Sequence, residues 1–247
     1  MNTAQTLEGL AFHNCNRCPL GKDRKHPPIP GCSPCPMGEV RLVVVSAYPA
    51  TEEVKSGQSL FPSPGKSVNA GKILQESLHG ISKELGIDMY KLTYRTNAMK
   101  CPTRGRSGDK LTQPREVCKG WLLAEISEVP PGVPILLAGS DAARSLLDLP
   151  LYDNRGVVHY YGNHPVVITV NPIEVERGTR FTYSPTGNTV ASPPIVGSIP
   201  WLYMRDMKIL GNLISDSLSW TQRSEGAQQL SLQSATREYG ESIGGLP

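Results

Sequence analysis

Short apolar runs separated by stretches of helical period constrain the fold of this chain more than any other feature. RLVVVSAY (41–48), PILLAG (134–139) and VVITV (166–170) are too short for buried helices and show no polar alternation, the pattern of strands covered on both faces. YKLTYRT (90–96) reads as a further strand, and VVHYY (157–161) as another, joined to VVITV through the turn GNHP. Between the runs, Leu74, Leu78, Ile81 and Leu85 recur at helical spacing over 70–85, and Gly86 is a natural stop. Pro114 opens a helix carrying Val117, Trp121 and Ala124 on one face, a shorter helix runs from Asp141 to Leu147, and WLYMRDMKILGNLI (201–214) is amphipathic. Strands alternating with helices predict an α/β fold, a three-layer α/β/α sandwich around a central, mostly parallel sheet of four to five strands. In such folds the ligand crevice lies beyond the carboxyl ends of the strands, so function is sought in the loops beginning at Ser46, Thr96, Ala138 and Val170.

With 247 residues, 38% of them hydrophobic, the chain is long enough for one such domain, placed over residues 1–220. No run of about 18 apolar residues exists, which argues against a membrane span. MNTAQTLEGL lacks the basic-then-apolar pattern of a secretion signal, so a cytoplasmic, monomeric protein is expected. A net charge of +3 permits a nucleic-acid partner without requiring one. Residues 19–40 and 178–200 are rich in Pro, Gly and polar residues and read as irregular loops, and the polar tail beyond Thr221 reads as disordered.

The six cysteines allow two groupings. Cys15-x2-Cys18-x13-Cys32-x2-Cys35 is a local pair of CxxC motifs near the spacing of a zinc ribbon. Alternatively, Cys15 and Cys18 join the distant Cys101 and Cys118, which are otherwise buried thiols. Spacing alone favours the local arrangement.

Motifs beyond the cysteines favour the second. CNRCPL (15–20), TNAMKC (96–101) and REVCKGWLL (115–123) resemble, in order and form, three segments of the iron–sulfur uracil-DNA glycosylases, families four and five of that superfamily. The resemblance spans most of residues 12–214. It implies a [4Fe–4S] cluster on Cys15, Cys18, Cys101 and Cys118, thiolate-ligated as such clusters require. It also implies DNA as partner and hydrolysis of a pyrimidine N-glycosidic bond, with the nucleotide flipped out of the stack. Cys32 and Cys35 are then an extra pair, either free thiols or a second metal site.

Four segments match that chemistry, which needs donors aimed at the departing base and a polar group near the sugar. SAYPATEEVKSGQSLF (46–61) resembles the family's water-activating loop: Pro49, Glu53 and Gly57 match, whereas Ala47 stands where family four has an acid. Glu53, beside Glu52, is the carboxylate expected to be catalytic; the bland reading makes both solvated loop acids. Tyr48 and Phe61 are candidates for stacking on the base, Phe61 equally for the core. Asn97 of TNAMKC matches the family's reader of the pyrimidine edge, although a strand-end Asn also caps turns. In VNPIEVERG (170–178), Asn171 occupies the place of a family His that donates to the base and is the second expected catalytic residue. His164, in the GNHP turn, precedes its strand and is expected to face away from the crevice. Arg177 keeps the spacing of a DNA-wedging segment, and Arg180, with Phe181 and Tyr183, is placed in a loop that contacts DNA, forms a specificity lid or is plain disorder. Lys100, Arg104, Arg106 and Lys110 are read as phosphate contacts or as a solvated basic loop. The altered positions Ala47 and Asn171 leave uracil itself open as substrate and point to a bulkier or modified pyrimidine, with removal of hypermodified phage bases as one setting.

Overall fold

A computed structural model describes residues 15–23, 25–63, 69–180 and 198–219. Five strands, β1 (Leu42–Ser46), β2 (Thr93–Asn97), β3 (Ile135–Ala138), β4 (Val158–Tyr161) and β5 (His164–Thr169), form one sheet in the order β2-β1-β3-β5-β4. All neighbours are parallel except β4, which runs antiparallel to β5. All of β1 and β3 is buried, as strands covered on both faces must be, and each fully buried Val or Leu contributes about 1.5–3 kcal/mol of transfer free energy. β4 is the edge strand: Tyr160 is exposed, and a two-residue turn at Gly162 (φ +56°) connects it to β5.

The helices are α1 (Pro19–Lys22), α2 (Thr51–Ser56), α3 (Ala70–Leu85), α4 (Thr112–Ser127), α5 (Ser140–Leu147), α6 (Leu151–Asn154) and α7 (Pro172–Arg180), followed by α8 over 199–219. α3 packs on α7, and α4 packs on α5, giving the three-layer α/β/α sandwich. The start of α3 is fixed by Asn69, whose Oδ1 accepts from the Lys72 N–H at 2.8 Å, and Gly86 ends it at φ +69°. Leu74, Leu78 and Ile81 form its buried face, as their spacing predicts. α4 differs from expectation: it begins two residues before Pro114, and its buried stripe is Cys118, Trp121, Leu122, Glu125 and Ile126, with Val117 and Ala124 half-buried at its margin. α8 buries Tyr203, Met207, Leu210 and Ile214, and a buried ion pair from Arg155 Nη2 to Asp206 Oδ2 (2.6 Å) fastens it beneath α6.

Two regions read as irregular contain order. Within 19–40 lie α1, a 3-10 turn (Met37–Glu39) and an antiparallel bridge from Cys32 to Arg95 that covers the outer edge of β2. The 46–61 loop contains α2, and α7 carries helix to Arg180, into the segment read as a loop from 178. Phe181, Tyr183 and the tail beyond Thr221 lie outside the described residues. No helix among the described residues is long and apolar enough to cross a membrane.

Candidate functional site

In strand order the chain turns back between β1 and β3, and the crevice of such a sheet opens beyond the carboxyl ends of those two strands. Consecutive residues of a strand face opposite sides. Thr96 and Asn97, the last two residues of β2, therefore serve different layers.

Thr96 turns toward α4. Its hydroxyl donates to Glu125 Oε2 (2.6 Å), and Lys100 Nζ donates to the same oxygen at 2.5 Å, while Glu125 Oε1 accepts from the Gly31 N–H at 2.9 Å. Lys100 and Glu125 are both buried. Lys100 is thus an interior ion-pair partner with no face for a phosphate, which corrects its reading as a surface cation.

Asn97 turns to the other side, toward α2. It is fully buried, and its amide nitrogen donates to Glu53 Oε1 (3.0 Å) and to Ser59 Oγ (3.1 Å). A carboxylate only accepts, so Glu53 decides which way the amide is turned. Asn97 Oδ1 is left as a buried acceptor without a partner among the described residues.

Glu53 itself is buried and occupied. Besides Asn97, Oε1 accepts from the Leu60 N–H (2.6 Å) and Oε2 from the Ala50 N–H (2.8 Å). The second contact is half of a capping box, since Ala50 has no side-chain oxygen to return the bond. The first holds Leu60 at φ +52°, a left-handed conformation that costs a bulky residue of order 1–3 kcal/mol. Glu53 is a positioning residue in this geometry: its bonds orient Asn97 and the 59–60 turn. Its burial and its three internal donors set aside the reading of Glu53 as a solvated loop acid.

The register extends the row. Ser46 pairs with Asn97, Val45 with Leu137, and Ala138 with Thr169, so Asn97, Ser46, Ala138 and Thr169 lie side by side on one face at the carboxyl edge. Three interstrand spacings, about 14–15 Å, separate its ends. Thr169 Oγ1, fully buried, also lacks a partner among the described residues. Beyond it, Asn171 caps α7: Oδ1 accepts from the Ile173 N–H at 3.2 Å, and its carbonyl accepts from the Glu174 N–H at 2.8 Å. This leaves Nδ2 as the donor end, on the side of Gly139, where an added Cβ would lie 3.7 Å from that nitrogen. Gly139 has φ +100°, open only to glycine.

Of the stacking candidates, Tyr48 is exposed at the crevice rim and Phe61 is half-buried, with its backbone against the start of α3 at Gly71. Arg177 and Arg180 fall in the last turns of α7, and their side chains lie outside the described residues. Arg104 is exposed and donates to the Asp23 carbonyl, while Arg106 is tied to the Asp23 carboxylate at 2.5 Å. Lys110 is exposed in a 3-10 turn before α4. His164 opens β5 at the opposite edge of the sheet, bonded to the Val133 carbonyl at 2.9 Å, away from the crevice.

The cysteines divide into two sets. Cys18, Cys101 and Cys118 are buried together with Leu20, Met99 and Leu111. Burial pushes the Cys118 thiol up to about 11; the Lys100 backbone N–H and the Lys100 charge pull it down, and Cys18 and Cys15 push it further up. Cys18, Cys101 and Cys118 thus share one buried cluster, and Cys15 and Cys18 are near enough to act on the Cys118 thiol. Cys32 lies elsewhere, bridged to Arg95 and with its Sγ 3.8 Å from the Ser59 carbonyl; its thiol is raised by burial and lowered by Arg95. Cys35 packs against the main core with Sγ 3.3 Å from Ser33 Oγ. Among the described residues no group of three or more His, Cys, Asp or Glu is arranged for a single metal ion. A [4Fe–4S] cluster would take thiolate donors, and three cysteines in one buried cluster with Cys15 acting on Cys118 fit that donor type.

Ser59, Glu125 and Thr169 were missed from sequence. Glu125 alone carried a signal, an acid on the apolar stripe of a helix. No protein-family model matches the chain, and no curated protein matches it.

Proposed function

We propose that the chain is a monofunctional DNA glycosylase that flips out a pyrimidine nucleotide and hydrolyses its N-glycosidic bond, leaving an abasic site. The observation that carries the reading is Asn97, buried at the carboxyl edge of the sheet with both amide hydrogens bound inside the protein and a bare acceptor left over. Such an atom costs about 1–3 kcal/mol unless a ligand N–H meets it. The N3–H of uracil and the exocyclic amine of cytosine-type bases both supply that donor. Asn171 offers the complementary group, a donor of fixed polarity for a base carbonyl across the crevice.

The residues then divide the work. Glu53 and Ser59 hold Asn97 so that the base edge is read without reorganisation. The C1′–N bond breaks with its electron pair passing to the base, and Asn171 Nδ2 donates to the carbonyl on which that charge accumulates. Water adds to C1′ and loses a proton to solvent, giving the abasic sugar and the free base. Cys15, Cys18, Cys101 and Cys118 would hold a [4Fe–4S] cluster. When bound, that group supplies cross-links between the N-terminal segment, the loop bearing Asn97 and helix α4. Hypermodified phage bases are the substrate class suggested by Ala47 and Asn171, and antiviral defence is the corresponding setting.

The engagement of Glu53 by three internal donors favours a second reading, a base-flipping module without turnover. Incubation with uracil-containing and modified-cytosine DNA, followed by alkali cleavage, separates the two. Strand breaks at the target base support the glycosylase; tight base-dependent binding with intact strands supports the silent module.

A further inference from the structure

On the same edge of the sheet, but toward its β2 side, a cavity of about 580 Å³ opens between the loops after β1 and β2. Lys25, His26, Thr103 and Arg104 line it together with Pro49, Val54 and Pro102. No Asp or Glu is among its described lining residues. Lys25 and His26 are exposed, and the Arg104 guanidinium donates to a neutral acceptor, the Asp23 carbonyl. Arg104 and Gly105 take left-handed backbone (φ +51° and +79°), a paired turn held in place through the Arg106–Asp23 ion pair.

From this lining we infer that the cavity is a phosphate subsite. Two positive charges and an imidazole line a concave surface with no carboxylate among its described lining residues, the requirement for holding a phosphate monoanion or diester. Pro49, Val54 and Pro102 in the same lining give apolar surface for the attached sugar. Its volume lies within the range of about 300–1,000 Å³ that holds small-molecule-sized groups, so a phosphate with its sugar fits, not a bare ion alone. The phosphate of a nucleic-acid backbone is the favoured source, and a free nucleotide offers the same chemistry. This extends the DNA-binding part of the proposed function and does not depend on the excision step.

The test uses the full-length protein, with fluorescence anisotropy on a labelled unmodified duplex across a salt series. The Lys25→Ala/Arg104→Ala double variant is expected to bind 10- to 100-fold more weakly at low salt. The slope of log K against log salt should fall by about 2, near one per lost cation. Lys91→Ala, at the opposite edge of the sheet, should leave both values unchanged. Deoxycytidine monophosphate and inorganic phosphate serve as competing probes. Loss of the nucleotide's competition in the double variant, with the duplex slope unaltered, supports the subsite with free nucleotide as its source. An unaltered slope together with unaltered competition overturns the inference, provided thermal melts show both proteins folded. A changed slope in a protein that excises no base would retire the glycosylase reading and leave the subsite standing.

Discussion

Glu53 Oε1 accepts from Asn97 Nδ2 at 3.0 Å across 44 residues of sequence, so the polarity of a buried amide at the end of β2 is set by a carboxylate on the helix after β1. The proposed reading of a base edge rests on that one bond.

Glu53→Gln should destabilise the protein by about 1–3 kcal/mol, because a carboxamide must turn its NH2 toward one of the donors Leu60 N–H, Ala50 N–H or Asn97 Nδ2. Urea midpoints measure the effect. An unchanged midpoint with an unchanged excision rate would show that Glu53 does not position Asn97.

Lys100→Ala should cost about 3–5 kcal/mol, since it strands the buried Glu125 carboxylate, while the salt dependence of DNA binding stays as in the wild type. Replacing both partners by apolar residues of similar volume should recover much of the loss. A variant of normal stability with a shallower salt slope would return Lys100 to the surface.

These two residues show what was legible in the sequence. The buried runs of β1 and β3 and the Leu74–Leu78–Ile81 stripe of α3 were readable because burial imposes apolar periodicity. α2 was not: TEEVKS has one apolar residue and an Ala at its N-cap, so only the Glu three residues later and the left-handed Gly57 mark it. Lys100 sits near Arg104 and Arg106 in sequence and invited a surface reading. Its partner Glu125 lies 25 residues away, and such long-range pairings leave no local trace. Asn97 was found, but its free acceptor depends on Ser59 and Glu53 together and could only be seen in three dimensions.

Asn97→Ala should lower excision about 10- to 100-fold, the loss of one oriented hydrogen bond in a desolvated site. Asn97→Asp should do worse, placing a second carboxylate against Glu53. Single-turnover rates on duplexes with one target base test both. Full activity in the alanine variant would exclude Asn97 from base recognition.

Replacing Cys18, Cys101 or Cys118 by Ser should abolish visible absorption near 400 nm and loosen the N-terminal segment, whereas Cys32→Ser and Cys35→Ser should retain the chromophore. Iron analysis of an anaerobic preparation supplies the count, and about four irons per chain are expected for a [4Fe–4S] cluster. A colourless, zinc-containing protein whose metal depends on Cys32 and Cys35 would restore the ribbon grouping.

The central claim is hydrolysis of a base from DNA, and release of the free base is its most direct measure. Mass spectrometry of the low-molecular-weight fraction, after incubation with uracil-containing and hypermodified DNA, should find one pyrimidine base for each abasic site formed, and Asn97→Ala should release less. Folded protein that binds these DNAs in a base-dependent way and yet frees no base from any of them would contradict the account.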